Sequence, residues 1–72
     1  MKISYDKKVD AAYIRLSARK PCGVVEISEG IHIDMTDGGE IVGIEILDAS
    51  KKFPLESLFR CEFDQDLLLG DV

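Results

Sequence analysis

The chain has one histidine, His32, and this is the residue whose type best supports acid–base or nucleophilic chemistry. The alternation of apolar and polar residues over 31–36 predicts a strand in which His32 and Asp34 point to the same side, so the carboxylate could orient the imidazole. Neighbouring strands are expected to add Tyr13, Arg15 and Glu45 to this polar face. Because no serine or cysteine lies in a nucleophile motif, the pattern is more typical of the solvated side of an antiparallel sheet. We therefore expect no catalytic residues.

Metal and phosphate chemistry is also poorly supported by the spacing of the residues. Cys22, Cys61 and His32 could contribute to a zinc site, but structural zinc sites bring their ligands in close pairs such as C-x2-C, and these two cysteines are far apart. The Asp37-Gly38-Gly39 turn lacks the following Lys-Ser or Lys-Thr of a phosphate loop. We expect no metal and no cofactor. With no secretory context, both thiols are expected to be reduced.

Size and charge limit the class of protein. The chain has 72 residues and a net charge of −5, with 46 % apolar and 32 % charged residues, which is typical of one globular domain over 1–72. A domain this short has a marginal core, so self-association is expected. The acidic charge disfavours direct nucleic-acid binding, since that binding mostly neutralises phosphates. No membrane span or export signal is evident, and we expect a cytoplasmic protein without a membrane partner.

Period-two patterning predicts a sheet over residues 1–48. Helical spacing also fits part of the second strand, but its Tyr-Ile pair favours a strand. Turn residues separate the strands, above all the Asp-Gly-Gly run that follows residue 36. The predicted strands are 2–6, 11–17, 24–27, 31–36 and 40–47. The fold class is therefore α+β, a small antiparallel β-meander of four to five strands with one short C-terminal helix packed on one face.

The C-terminal part, residues 53–72, is predicted to combine that helix with an acidic apolar tail. Pro54 suits the first turn of a helix, and Leu55, Leu58 and Phe59 would form its apolar stripe. The tail sets apolar residues among acids, so it could pack on its own sheet, cap a dimer or lie in a basic partner's groove. The candidate interaction residues are Phe59, Phe63, Asp64, Asp66, Leu67, Leu68 and Leu69.

Two stretches of the chain carry a resemblance to a known family. They are residues 2–16, with Lys-Ile-Ser-Tyr-Asp running into Asp-Ala-Ala-Tyr-Ile-Arg-Leu, and residues 39–50, with Gly-Glu-Ile-Val-Gly-Ile-Glu-Ile-Leu-Asp-Ala-Ser. Together they resemble the small YuzE-like domain family of unknown function, DUF2283, over roughly residues 1–50. The resemblance implies a compact sheet with a C-terminal helix and transfers no catalytic residues. It also implies a setting beside ribonuclease-like toxins, in which the domain would act as an antitoxin. The tail after Phe59 departs from the family pattern.

Two functional hypotheses follow. The first is a non-enzymatic domain that acts through protein contacts as a homo-oligomer, in its sharper form an antitoxin-like neutraliser whose acidic half meets a basic, toxin-like protein. The alternative is a small hydrolase or ligand-binding module that uses the polar face around His32 and Asp34.

Overall fold

Five short strands follow one another along the chain before any helix begins. The computed structural model describes residues 1–60 and Glu62. The strands are β1 (Lys2–Asp6), β2 (Ala11–Arg15), β3 (Gly23–Ser28), β4 (Ile31–Met35) and β5 (Ile41–Leu47). All neighbouring strands pair antiparallel. The α+β class is therefore confirmed, and each predicted strand is present within two residues of its expected ends.

The order of the strands in the sheet is β1-β2-β5-β4-β3, which differs from a simple meander. The β1–β2 hairpin and the β3–β4–β5 meander are each local, but β5 lies between β2 and β4. Hairpin turns in the sequence predict which consecutive strands pair, and they do not say where two hairpin units join. The join is made by β5, the longest strand, which is flanked on both sides and contains the buried Val42 and Gly43.

The register places apolar and polar residues on opposite sides of the sheet. One row crosses all five strands with only apolar members, namely Ile3, Ile14, Ile44, Ile33 and Val25. The next row on the opposite side is polar throughout, namely Ser4, Tyr13, Glu45, His32 and Glu26. The period-two patterning therefore sorts the two sides correctly.

The region after β5 differs most from the sequence-based prediction. A short helix α1 (Ala49–Lys52), which was not predicted, begins directly after Asp48, whose left-handed φ of 52° turns the chain. It ends at Phe53, because the residue before a proline disfavours the helical region. The expected helix after Pro54 is instead a 3-10 helix, η1 (Leu55–Phe59).

Neither of these helical segments closes the apolar side of the sheet. Of the described residues, only Ala12, Val42 and Ala49 form a buried apolar core. η1 has no buried residue, and Phe59 of its predicted apolar stripe is 82 % exposed, whereas Leu55 and Leu58 are half-buried. Neither helical segment of the described residues has the length and hydrophobicity that a membrane-spanning helix needs. Cys61 and the remaining candidate interaction residues lie outside the described part; these are Phe63, Asp64, Asp66, Leu67, Leu68 and Leu69.

Candidate functional site

The centre of the polar face is His32, which lies between two glutamates from the neighbouring strands. Its Nε2 is 3.5 Å from Glu26 Oε2 on β3, and its Nδ1 is 3.6 Å from Glu45 Oε1 on β5. The imidazole is 23 % exposed, and its Nδ1 is buried with no hydrogen-bond partner among the described residues. Because Glu26, His32 and Glu45 share one row of the register, the sheet itself brings them together.

Asp34, which the sequence offered as a residue that could orient His32, forms its hydrogen bond with a different residue. The Tyr13 hydroxyl donates to Asp34 Oδ2 at 2.7 Å, reaching across β5 from β2 to β4. This hydrogen bond raises the pKa of Tyr13, and partial burial and the nearby Asp34 charge raise it further. Asp34 therefore orients the Tyr13 hydroxyl, and the carboxylates that approach the His32 imidazole are those of Glu26 and Glu45.

Gly43 makes the Tyr13–Asp34 hydrogen bond sterically feasible. It lies opposite Arg15 on β2 and Asp34 on β4, directly beneath the path of the tyrosine ring. A Cβ at this position would overlap the Tyr13 ring and hydroxyl. A glycine inside a strand commonly marks a bulge or the close approach of another group. Both features occur, since the β4–β5 register also shifts between Asp34 and Met35.

Arg15 completes the set of five predicted polar-face residues. The register puts it beside Gly43 on the same side as Tyr13, and it forms no ion pair or side-chain hydrogen bond with the other described residues. Tyr13, Arg15, His32, Asp34 and Glu45 thus do share one face, but they form two separate contacts and not one converging cluster.

The chemistry that this face could perform is limited. None of the hydrogen bonds within residues 1–60 joins His32 to a serine or cysteine. In that same part of the chain, no group of three or more His, Cys, Asp or Glu side chains is arranged to hold a metal ion. Cys22, which the sequence offered as a zinc ligand, is exposed at the start of β3. A catalytic or ligand-binding role for the face stays a prediction.

A second polar cluster, at the corner where the β1–β2 turn meets α1, was not predicted. Asp10 Oδ1 accepts a 2.6 Å hydrogen bond from the Tyr5 hydroxyl and a 3.0 Å hydrogen bond from the Ser50 amide. Its Oδ2 accepts a 2.6 Å bond from the Ser50 hydroxyl, and its main-chain oxygen accepts one from the Ala49 amide at 2.9 Å. We call these residues, Tyr5, Asp10, Ala49 and Ser50, the Asp10 corner.

The electrostatics of the Asp10 corner follow from these hydrogen bonds. The Ser50 hydroxyl, followed by the Tyr5 hydroxyl, stabilises the Asp10 carboxylate and lowers its pKa below the ordinary value. The hydrogen bond between Tyr5 and Asp10 also raises the pKa of Tyr5, since ionising the phenol would remove the donor and place two negative charges together. Asp10 also has a left-handed φ of 54°, a conformation that aspartate tolerates better than most residues. The Asp10 corner therefore holds the β1–β2 turn against the start of α1.

The sequence contained one signal for the Asp10 corner. Tyr5, Asp10 and Ser50 all lie in the two stretches that carry the family resemblance. However, 40 positions separate Asp10 from Ser50, and periodicity within single strands carries no information about such a contact. Only the pairing of β2 with β5 brings the two ends together.

A third feature is the outer strand β3. All six of its residues are exposed, including Val24 at 61 %, Val25 at 49 % and Ile27 at 58 %. Alternation along the strand places Val24 and Val25 on opposite sides, so β3 is apolar on both faces, unlike a strand with one wet side. Its pairing with β4 shifts register between Glu26 and Ser28.

Comparison with known proteins identifies the family of this domain. The profile described as "Protein of unknown function (DUF2283)" matches residues 2–50. The chain belongs to the DUF2283 family. Searches of the curated proteins and of the solved structures found no match. The matched range of the DUF2283 domain holds all five strands and ends at Ser50, so it includes the whole polar face and the whole Asp10 corner.

Proposed function

We propose that this DUF2283 domain is a non-enzymatic module that acts through protein–protein contacts and associates with itself. The observation that carries the proposal is the unclosed apolar surface. Only Ala12, Val42 and Ala49 are fully buried in the described apolar core, whereas eight large hydrophobic residues of the described chain are exposed. Three of these eight lie on the single strand β3.

The apolar area that the described residues bury fully is small. Each square ångström of apolar surface removed from water contributes roughly 25 cal/mol, so a core of two alanines and one valine contributes little. Further stabilisation has to come from burying the half-exposed apolar rows against something else. Small domains commonly obtain it by oligomerisation. Protein contacts would thus serve folding as well as function.

Sedimentation of the full chain over a concentration series tests the proposal. We expect a species heavier than the 8.0 kDa monomer, and a proportion of that species that grows with concentration. Because apolar association persists in salt, the heavier species should survive high ionic strength. A strict monomer at every concentration that also binds no protein partner would overturn the proposal.

A sharper form of the proposal names a basic partner. Residues 27–72 carry 11 acidic and 3 basic residues, a balance of 3 − 11 = −8, whereas residues 1–26 carry +3. Such asymmetry suits an antitoxin-like neutraliser whose acidic half covers the basic, RNA-binding surface of a toxin-like protein. The role itself rests on the family resemblance and on this charge pattern.

Co-purification of the chain with the product of the adjacent gene tests this sharper form. Binding is expected at low salt and should weaken steeply as salt is raised, because exposed charges are screened. The absence of binding at low salt would remove the antitoxin-like role and leave self-association untouched. The hydrolase and ligand-binding alternatives are not proposed, since no observation specifically favours them.

A further inference from the structure

The two outer strands of the sheet differ in how their open backbone edges are protected. An edge strand presents unpaired N–H and C=O groups, and proteins usually protect it with charges, short length or a cover. β1 carries Lys2 and Asp6 at its ends, and its residues alternate between exposed and half-buried. β3 has Glu26 as its one charged residue and is exposed along its whole length.

The side chains of β3 suit it to contact another strand. Val24 projects on the polar side and Val25 on the apolar side, at 61 % and 49 % exposure. A strand added at this edge would therefore cover apolar surface on both of its faces, in addition to forming main-chain hydrogen bonds. Val25 also ends the apolar row that crosses the sheet, so the added strand would continue that row.

The charges that flank β3 select the partner and its direction. Lys20 lies before the strand, Glu29 lies after it, and both side chains are exposed. Arg19 is already paired with Glu40 at 2.5 Å, whereas Lys20 forms no ion pair within the described residues. When a second β3 runs antiparallel to the first, Lys20 of each copy approaches Glu29 of the other. A parallel arrangement would place like charges together.

We propose that two copies of the chain pair antiparallel along β3 and form one continuous ten-stranded sheet; this rests on the proposed self-association. The two-fold axis stands perpendicular to the sheet, because only that operator pairs identical edges antiparallel while keeping both apolar sides on one surface. The axis then lies midway between the two copies of one β3 residue, which are directly opposed. Counted by residue number, an axis between the two copies of Val24 aligns Lys20 with residue 28 of the second copy, and an axis between the two copies of Val25 aligns it with residue 30. Glu29 is adjacent to both positions.

Single-cysteine chains test the position of the axis. Cys22 and Cys61 are first replaced by serine, and Val24→Cys or Val25→Cys is then added. Directly opposed residues of antiparallel strands lie about 4.5–5.5 Å apart at Cα, a separation that a disulfide can span. We expect one of the two variants to form a covalent dimer under mild oxidation. Ser4→Cys at the centre of β1 is the matched control and should stay monomeric on denaturing gels.

The proposed contact between β3 of one copy and β3 of the other is called the β3 seam. A charge placed there tests how much this contact contributes to association. Val24→Lys puts two ammonium groups close to the axis and should weaken association about tenfold or more. Ser4→Lys on β1 should leave it unchanged. Lys20→Glu and Glu29→Lys should each weaken association, and the double variant should restore it. Circular dichroism and the thermal midpoint verify that each variant is folded.

The outcomes of these experiments distinguish a failure of the β3 seam from a failure of the proposed self-association. If the wild-type chain associates but every β3 variant associates equally well and neither cysteine variant cross-links, the β3 seam is wrong and self-association stands. If Leu67→Ser/Leu68→Ser/Leu69→Ser abolishes association while the β3 variants do not, the tail makes the contact instead. If the wild-type chain is monomeric throughout, the β3 seam and the proposed self-association both fail, and the proposed function as a whole fails if the chain also binds no protein partner.

Discussion

The Asp10 corner joins β1, β2 and α1, whereas β3 is the outer strand on the other side of β4, and the two regions are built in opposite ways. At the corner, one carboxylate accepts hydrogen bonds from Tyr5 on β1 and from both donors of Ser50 on α1. At the β3 edge, all six residues are exposed, and the pairing with β4 is interrupted by a register shift.

This contrast shows where a small chain places its specific interactions. Within the β1–β2–β5 half, hydrogen bonds and the close contact of Tyr13 with Gly43 fix one arrangement of the strands. No side chain of β3 forms a hydrogen bond within the described residues, Glu26 approaches His32 only to 3.5 Å, and the apolar residues of the strand are exposed. A domain whose one half is specified internally can present the other half as a contact surface.

The largest expected effect comes from filling the space at Gly43. Gly43→Ala forces the Tyr13 ring aside and breaks its hydrogen bond to Asp34, and overpacking of this kind costs about 1–3 kcal/mol of unfolding free energy. Urea unfolding measures the loss. In a Tyr13→Ala background the same substitution should cost much less, because the overlapping ring is gone. Gly38→Ala, whose nearest neighbour is Thr36 Oγ1 at 3.9 Å, is the control and should cost little.

An intermediate effect is expected at the Asp10 corner, and it depends on pH. Because the folded-state pKa of Asp10 is lowered from 3.8, the carboxylate stabilises the fold above that pH and the contribution disappears as pH falls through the lower folded value. Asp10→Asn should therefore lower the thermal midpoint at pH 7. The difference from wild type should shrink toward pH 2.5. Parallel curves from pH 7 to 2.5 would contradict the role of the carboxylate.

Asp37→Asn provides the matched control for this titration. Asp37 is exposed in the β4–β5 turn, and its side chain forms no hydrogen bond within the described residues. Its substitution should leave the dependence of the midpoint on pH as it is in the wild-type chain. A similar change from Asp37→Asn and Asp10→Asn would mean that overall charge, and not the corner, sets the acid sensitivity.

The smallest expected effect on folding is at the β3 edge. Val24→Thr keeps the β-branched shape at a position that is 61 % exposed, so the unfolding free energy at low protein concentration should change by no more than about 0.5 kcal/mol. The same variant should weaken self-association in sedimentation. A large loss of stability in the dilute monomer would show that β3 is part of the core.

The strands were predictable because their signal is local. Ile31, Ile33 and the polar residues between them alternate with a period of two, and the Asp-Gly-Gly turn positions the next strand. The helical region was predicted less well, because Pro54 was treated as the start of a helix, whereas α1 begins earlier at Ala49. The left-handed turn at Asp48 and the buried Ala49 decide that start, and neither feature is visible in a short apolar pattern.

The polar face was predictable as a set of residues but not as a set of contacts. Alternation placed Tyr13, His32, Asp34 and Glu45 on one side, and the register agrees. Alternation allowed Asp34 to orient His32, but Asp34 accepts its hydrogen bond from Tyr13 on a strand two positions away. Residues on one strand share a face, but their partners depend on which strands are adjacent.

The sequence by itself determined where the strands lie, their polarity and the family, since each of these is carried by short continuous stretches of the chain. Tertiary structure alone decided that β5 lies between β2 and β4. That single placement brings Tyr13 across Gly43 to Asp34 and closes the Asp10 corner with Ser50. It also leaves β3 as an outer strand. The physical reason is that side-chain direction follows local backbone geometry, whereas strand neighbours follow from the burial of whole strands against one another.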